Sequence, residues 1–139
     1  MALEIKIDPI DLNPDIAIGM AIPIMQGAGA IFNMNYLSID QAYANAKNLL
    51  LTEKGERIMH PNFGCNLRSL LFENITNALQ TEAEESITES FSYWLPYVFI
   101  NNLDIATQPD TNTITLNMVI SLQNNTLDTR SINMILNTQ

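Results

Sequence analysis

The apolar positions of this chain change period once. Between residues 38 and 94 they recur at three- and four-residue steps, the spacing that lines one face of a helix; beyond residue 97 they alternate, as in a half-buried strand. Ile39, Ala42, Tyr43, Ala46, Leu49 and Leu50 make the first stripe. Ser38, with Gln41 three residues on, reads as a capping box at its start, and Lys54 followed by Gly55 as its end, the glycine in a left-handed stop. Residues 55–65 (G-E-R-I-M-H-P-N-F-G-C) predict a tight connecting loop, and Asn66 to Asn74 a short helix with Leu67, Leu70 and Leu71 inward. A longer helix opens at Thr76 or Thr81 and runs to about Trp94. Leu79, Ala83, Ile87, Phe91 and Trp94 line one side of it and Glu82, Glu84, Glu85 and Glu89 the other. Pro96 stops it, because a proline disfavours helical backbone in the residue before it.

In the alternating half, Leu103, Ile105 and Thr107 exchange with Asp104 and Ala106, and Gln108 to Asn112 (Q-P-D-T-N) is a turn. Ile114, Leu116, Met118, Ile120 and Leu122 then alternate with Thr113, Thr115, Asn117 and Ser121; Asn124 and Asn125 mark a second turn; Ile132, Met134 and Leu136 give a last strand. Helices first and an antiparallel three-stranded meander last define an α+β fold. Residues 1–37 have no sustained helical period and hold Pro9, Pro14 and Pro23 with Gly19, Gly27 and Gly29. They predict an extended N-terminal arm on a single α+β domain spanning 38–139, with two main helices and one short one. The lone G-x-G at Gly27 to Gly29 lacks the rest of a phosphate-loop or dinucleotide pattern and reads as a flexible bend in the arm.

Charge changes the picture next. Fifteen acids against six bases give a net charge of -9, which argues against a grip on nucleic acid or anionic lipid. The distribution is uneven: residues 47–68 hold Lys47, Lys54, Arg57 and Arg68 against Glu53 and Glu56, whereas residues 69–129 hold only acids. Residues 16–39 carry no charge, but Pro23, Gln26, Gly27, Gly29, Asn33 and Asn35 interrupt the apolar run that a membrane-spanning helix requires. Glu4, Asp8, Asp11 and Asp15 against Lys6 are the wrong sign for the start of a signal peptide. Cys65 stands alone, so no internal disulfide forms, and a reducing or cysteine-indifferent compartment is expected.

Candidate chemistry is sparse. A glycan hydrolase needs two carboxyl groups across a cleft, and Glu53, Glu56 and Glu73 are the carboxylates near the loop-rich middle that a muramidase could use. The competing reading makes Glu53 and Glu56 part of a helix end and its loop, paired with Lys54, Arg57 or Arg68. His60 and Cys65 share a loop without an orienting third group, and one His with one Cys cannot fill a structural zinc shell. We assign no catalytic residue, metal or cofactor. The sheet is more informative: residues 111–139 hold only Asp128 and Arg130 as charges, so its edge lacks the lysines and inward charges that usually protect one. Such an edge can accept a strand from another chain. Cover by the N-terminal arm is the alternative.

Residues 48–74, N-L-L-L-T-E-K-G-E-R-I-M-H-P-N-F-G-C-N-L-R-S-L-L-F-E-N, resemble the baseplate wedge and sheath-initiator proteins of contractile-tailed phages, a lysozyme-like family shared with the type VI secretion baseplate. The signature is T-x-K-G-x-R, then P-x-F-G-C-x-L, then L-F-E-N, and the likeness runs over residues 36–139. It implies a structural virion protein, made in the host cytoplasm, that contacts other wedge subunits and templates the tail sheath protein through its C-terminal strands, with tube or hub proteins as further partners. It carries Gly55, Glu56, Arg57, Pro61, Phe63, Gly64 and Leu67 over as loop-shaping or contact positions. Docking to sheath falls on the strands at 113–122 and 129–137, with Ile114, Leu116, Met118, Ile120, Ile132, Met134 and Leu136. Many members end the long helix in Glu-Pro-Arg, where this chain has Leu95-Pro96-Tyr97. A wedge contact kept there would be apolar, using Trp94, Leu95, Pro96 and Tyr97.

Overall fold

Both hydrophobic periods converge on one core. In the computed structural model, which describes residues 8–25, 32–72, 77–111 and 113–137, helix α1 spans Ser38–Leu51, α2 Leu67–Leu70 and α3 Asn77–Trp94. Strands Val98–Gln108, Thr113–Leu122 and Thr129–Asn137 form an antiparallel sheet in chain order. In the arm a 3-10 turn at Pro9–Leu12 precedes a two-residue ladder, β1 (Gly19–Met20) with β2 (Met34–Asn35), so the long strands are β3, β4 and β5. The G-x-G at Gly27 to Gly29 lies outside the described residues.

The α3 stripe expected from sequence is the one buried: Leu79, Ala83, Ile87 and Phe91 are inside, Trp94 is half-buried at the end, and the four glutamates face out. They share a cluster with Leu49 and Leu50 of α1, with Leu116, Met118 and Ile120 of β4, and with Ile132 of β5. Each such side chain contributes about 1.5–3 kcal/mol by leaving water. One face of the sheet is therefore covered by helices, while Asn133 and Ile135 of β5 point to solvent.

Three local expectations are corrected. The α1 start has no Ser38–Gln41 capping box: Leu37 is the cap residue and makes no side-chain cap bond. Instead Asp11, from the arm, accepts hydrogen bonds from the Ser38 backbone N–H (2.7 Å) and hydroxyl (2.8 Å). Gln41 turns toward the arm hairpin, accepting from Asn35 Nδ2 and donating to Asn45. A carboxylate at the positive end of a helix satisfies an orphan donor and meets the dipole favourably, and no short-range pattern could reveal one 27 residues away.

The helix also ends earlier than Lys54. Leu51 is its last residue, and the Thr52 hydroxyl donates back to the Asn48 carbonyl. In β4 the alternation breaks at Ser121, which is fully buried where Leu122 was expected inward. The register of β3 against β4 slips between Ile100 and Asn102, and Asn101 accepts the Ser121 hydroxyl proton at 3.0 Å. A bulge supplies a polar partner at depth and lets the serine turn in.

Among the described residues one salt bridge forms, Arg130 to Asp40 at 2.9 Å, joining the start of β5 to the first turn of α1. Both ends are partly exposed, so it orients more than it stabilises. The Asp11 cap should matter more. Replacing Asp11 by Ala is expected to lower unfolding free energy by about 1 kcal/mol, with Asn recovering most of it, as read by urea denaturation.

Candidate partner-binding surfaces

The loop between α1 and α2 is built from its own hydrogen bonds. Gly55, at φ +95, donates to the Pro61 carbonyl at 2.7 Å, Phe63 to His60, and Cys65 to Thr52, folding residues 52–65 back on themselves. Both acids are used inside the loop: Glu56 accepts from the Glu53 backbone N–H, and Glu53 from that of Arg68. Helix α3 then ties the loop down from below. Ser86 donates to the Cys65 carbonyl (2.8 Å) and Ser90 to that of Gly64 (3.1 Å). These two serines, one helical turn apart, were invisible to a reading based on apolar stripes. Gly64 sits at φ +128, and a Cβ there would run into the Thr52 carbonyl.

The loop carries an aromatic edge. Phe63, Tyr93 and His60 each pack edge-on to Trp94, at 5.1, 4.9 and 5.8 Å between centroids. The Arg57 guanidinium lies 4.0 Å from the Phe63 ring centre and also donates to Asn48. Of the positions expected to touch partners, Gly55, Glu56, Pro61 and Pro96 are exposed, and Arg57, Phe63 and Trp94 half-buried. Leu67 and Leu95 are core residues that hold the loop and the helix end in place. Tyr97 is partly exposed and accepts from Asn45 Nδ2 at 2.9 Å; it lines a groove of ≈ 800 Å³ between the arm, the start of α1 and the β4–β5 turn. Missed altogether were Ile58 and Met59, which protrude from the loop.

The sheet separates side chains from backbone. Ile114, Leu116, Met118, Ile120, Ile132, Met134 and Leu136 all point into the core, so they cannot meet a docked strand. β4 is hydrogen-bonded on both sides, which removes 113–122 as a docking strand; β3 and β5 are the edges. On β3, Gln80 of α3 takes the Ile105 carbonyl. On β5 all nine residues pair with β4, and among the described residues the arm pairs only with itself.

Glu56 holds the Glu53 amide of the loop, Glu53 the Arg68 amide of α2, and Glu73 lies outside the described residues. Burial pushes the Cys65 thiol up from 9.0 to about 11, with the Ser90 hydroxyl beside it and nearby Lys54 pulling the other way and Glu53 adding to the rise. The His60 ring is committed to Trp94. No group of three or more His, Cys, Asp or Glu side chains that could hold a metal occurs among the described residues, and none of their helices is long and apolar enough to cross a membrane.

Fold and loop together define an α+β module with a tightly bonded loop between α1 and α2. Residues 43–126, well over half of the chain, match the family described as baseplate wedge protein gp25. The chain therefore belongs to that family and is a structural component of a phage-tail baseplate. No curated protein matches it. Among solved structures, a chain of the anti-feeding prophage baseplate shares the fold at TM-score 0.57 and 21% identity, over 84% of this chain and 81% of its own. A crystal structure from Geobacter sulfurreducens, provisionally named a tail lysozyme, aligns at TM-score 0.60 and 17% identity, over 71% of this chain and 89% of its own.

Two outcomes follow from the loop. Gly64→Ala should destabilise the fold by about 2 kcal/mol or more, because strain and collision act together, and thermal unfolding reads the loss. Because the native state holds the Cys65 proton more tightly than the unfolded chain, its contribution is complete below pH 9.0 and is lost as pH rises toward about 11. Denaturation midpoints of the wild type should therefore fall more steeply across that window than those of Cys65→Ala.

Proposed function

We propose that this chain joins the baseplate wedge through its loop and helix end, and starts the tail sheath by offering the free edge of β5 to an incoming sheath strand. The family match supports the place in the baseplate, since residues 43–126 include the loop, the helix end and strands β3 and β4; β5 lies beyond the matched range. The β5 edge supports the second half. A strand fully paired on one side presents half its backbone donors and acceptors on the other, and such a row accepts a further strand through main-chain hydrogen bonds. Along β5 only Arg130 carries charge, and it is turned back onto Asp40.

The role is non-catalytic. Its support is the use of Glu53 and Glu56 as acceptors of backbone N–H groups, which leaves neither poised across a cleft. On this reading the chain is made in the host cytoplasm and meets other wedge subunits first, the sheath afterwards, with tube or hub proteins nearby.

Removing β5 outright would test this poorly, because Ile132, Met134 and Leu136 belong to the core. Lysines on its outer face are a cleaner probe. Asn133→Lys combined with Ile135→Lys changes exposed side chains only, so stability should move by less than about 0.5 kcal/mol per site. Baseplates carrying the double variant should form normally and nucleate few sheaths by electron microscopy. Sheaths of normal number and length would refute the β5 edge as the initiating strand.

A further inference from the structure

We infer that the tip of the 52–66 loop is a docking knob for a neighbouring baseplate protein whose surface offers an apolar recess bordered by carboxylates. This rests on the wedge role proposed above and adds the chemistry of the partner. Ile58 is 95% exposed and Met59 85%, next in the chain to His60 and its edge-on contact with Trp94; Tyr93 beside it is 75% exposed. Adjacent exposed apolar side chains are ordinary on a mobile tail and costly on a rigid loop. This loop is held by backbone bonds from Gly55, Phe63 and Cys65 and pinned to α3 by Ser86 and Ser90, so the knob is presented in a fixed shape. A preorganised anchor loses little entropy on docking.

Charge selects the partner. Lys54 and Arg68 are exposed, Arg57 lies over Phe63, and none of the three has a carboxylate partner among the described residues; Glu53 and Glu56 bond backbone amides instead. Three cations against Glu53 and Glu56 leave the rim of the knob with a small positive excess in a chain of net charge -9. An apolar centre with a basic rim is complementary to an apolar recess with an acidic rim. The chain's net charge disfavours a nucleic-acid occupant.

The test uses the full-length chain in cells assembling baseplates. Ile58→Ser with Met59→Ser should lower incorporation into purified baseplates about tenfold or more, as loss of an anchor pair does, while the melting temperature stays within about 2 °C of wild type because both sites are exposed. Lys54→Glu with Arg68→Glu should also lower incorporation. A photo-crosslinking residue at position 58 should mark a different baseplate protein, on a peptide rich in apolar and acidic residues. Normal incorporation of the double serine variant, a crosslink to a second copy of this chain or to a basic peptide, or binding of the purified chain to anionic vesicles that Ile58→Ser abolishes would each overturn the inference. Wild-type chain missing from purified baseplates would instead overturn the wedge role itself.

Discussion

The sheet has one apolar face, and that face must be covered. Ile114, Leu116, Met118 and Ile120 on β4 with Ile132, Met134 and Leu136 on β5 supply a surface that water would penalise, and α1 and α3 are the lid. Every other feature is placed by this requirement. Because α3 lies across the sheet with Leu79, Ala83, Ile87 and Phe91 down, its Ser86 and Ser90 reach the loop that leads out of α1. Because the inner face is taken, the outer face of the sheet, its two edge strands and the loop are what the described residues leave outside the core.

The loop illustrates how polar satisfaction can create an apolar surface. A turn this sharp exposes backbone N–H and carbonyl groups that need partners, and Glu53, Glu56, Ser86 and Ser90 provide them. With its backbone settled internally, the loop holds a shape that leaves Ile58 and Met59 exposed. The same bonds tie the two acids to the backbone, while the Lys54 and Arg68 side chains stay exposed.

Charge is distributed unevenly over the surface. The acids of α3 face solvent, the bases gather around the loop, and β5 is almost bare. An uncharged strand edge suits pairing through main-chain groups, where side-chain charge would repel or misregister a partner. A charged rim around an apolar knob suits recognition of one surface among many in a crowded assembly.

Periodicity alone was enough to locate α3, the three C-terminal strands and the α+β order, because each of these buries a continuous stripe whose spacing is a property of the local backbone. The loop signature from Gly55 to Leu67 was legible for the same reason, since positive φ at Gly55 and Gly64 is a local demand that glycine meets. Tertiary structure decided the rest. Asp11 rather than Ser38 and Gln41 caps α1, Ser121 turns inward at the bulge, Leu67 and Leu95 sink into the core, and β4 lies between β3 and β5 with its apolar residues inward. Each of those outcomes depends on two segments distant in sequence meeting in space, and a hydrogen bond or a buried contact is made by proximity, which no spacing along a single chain encodes.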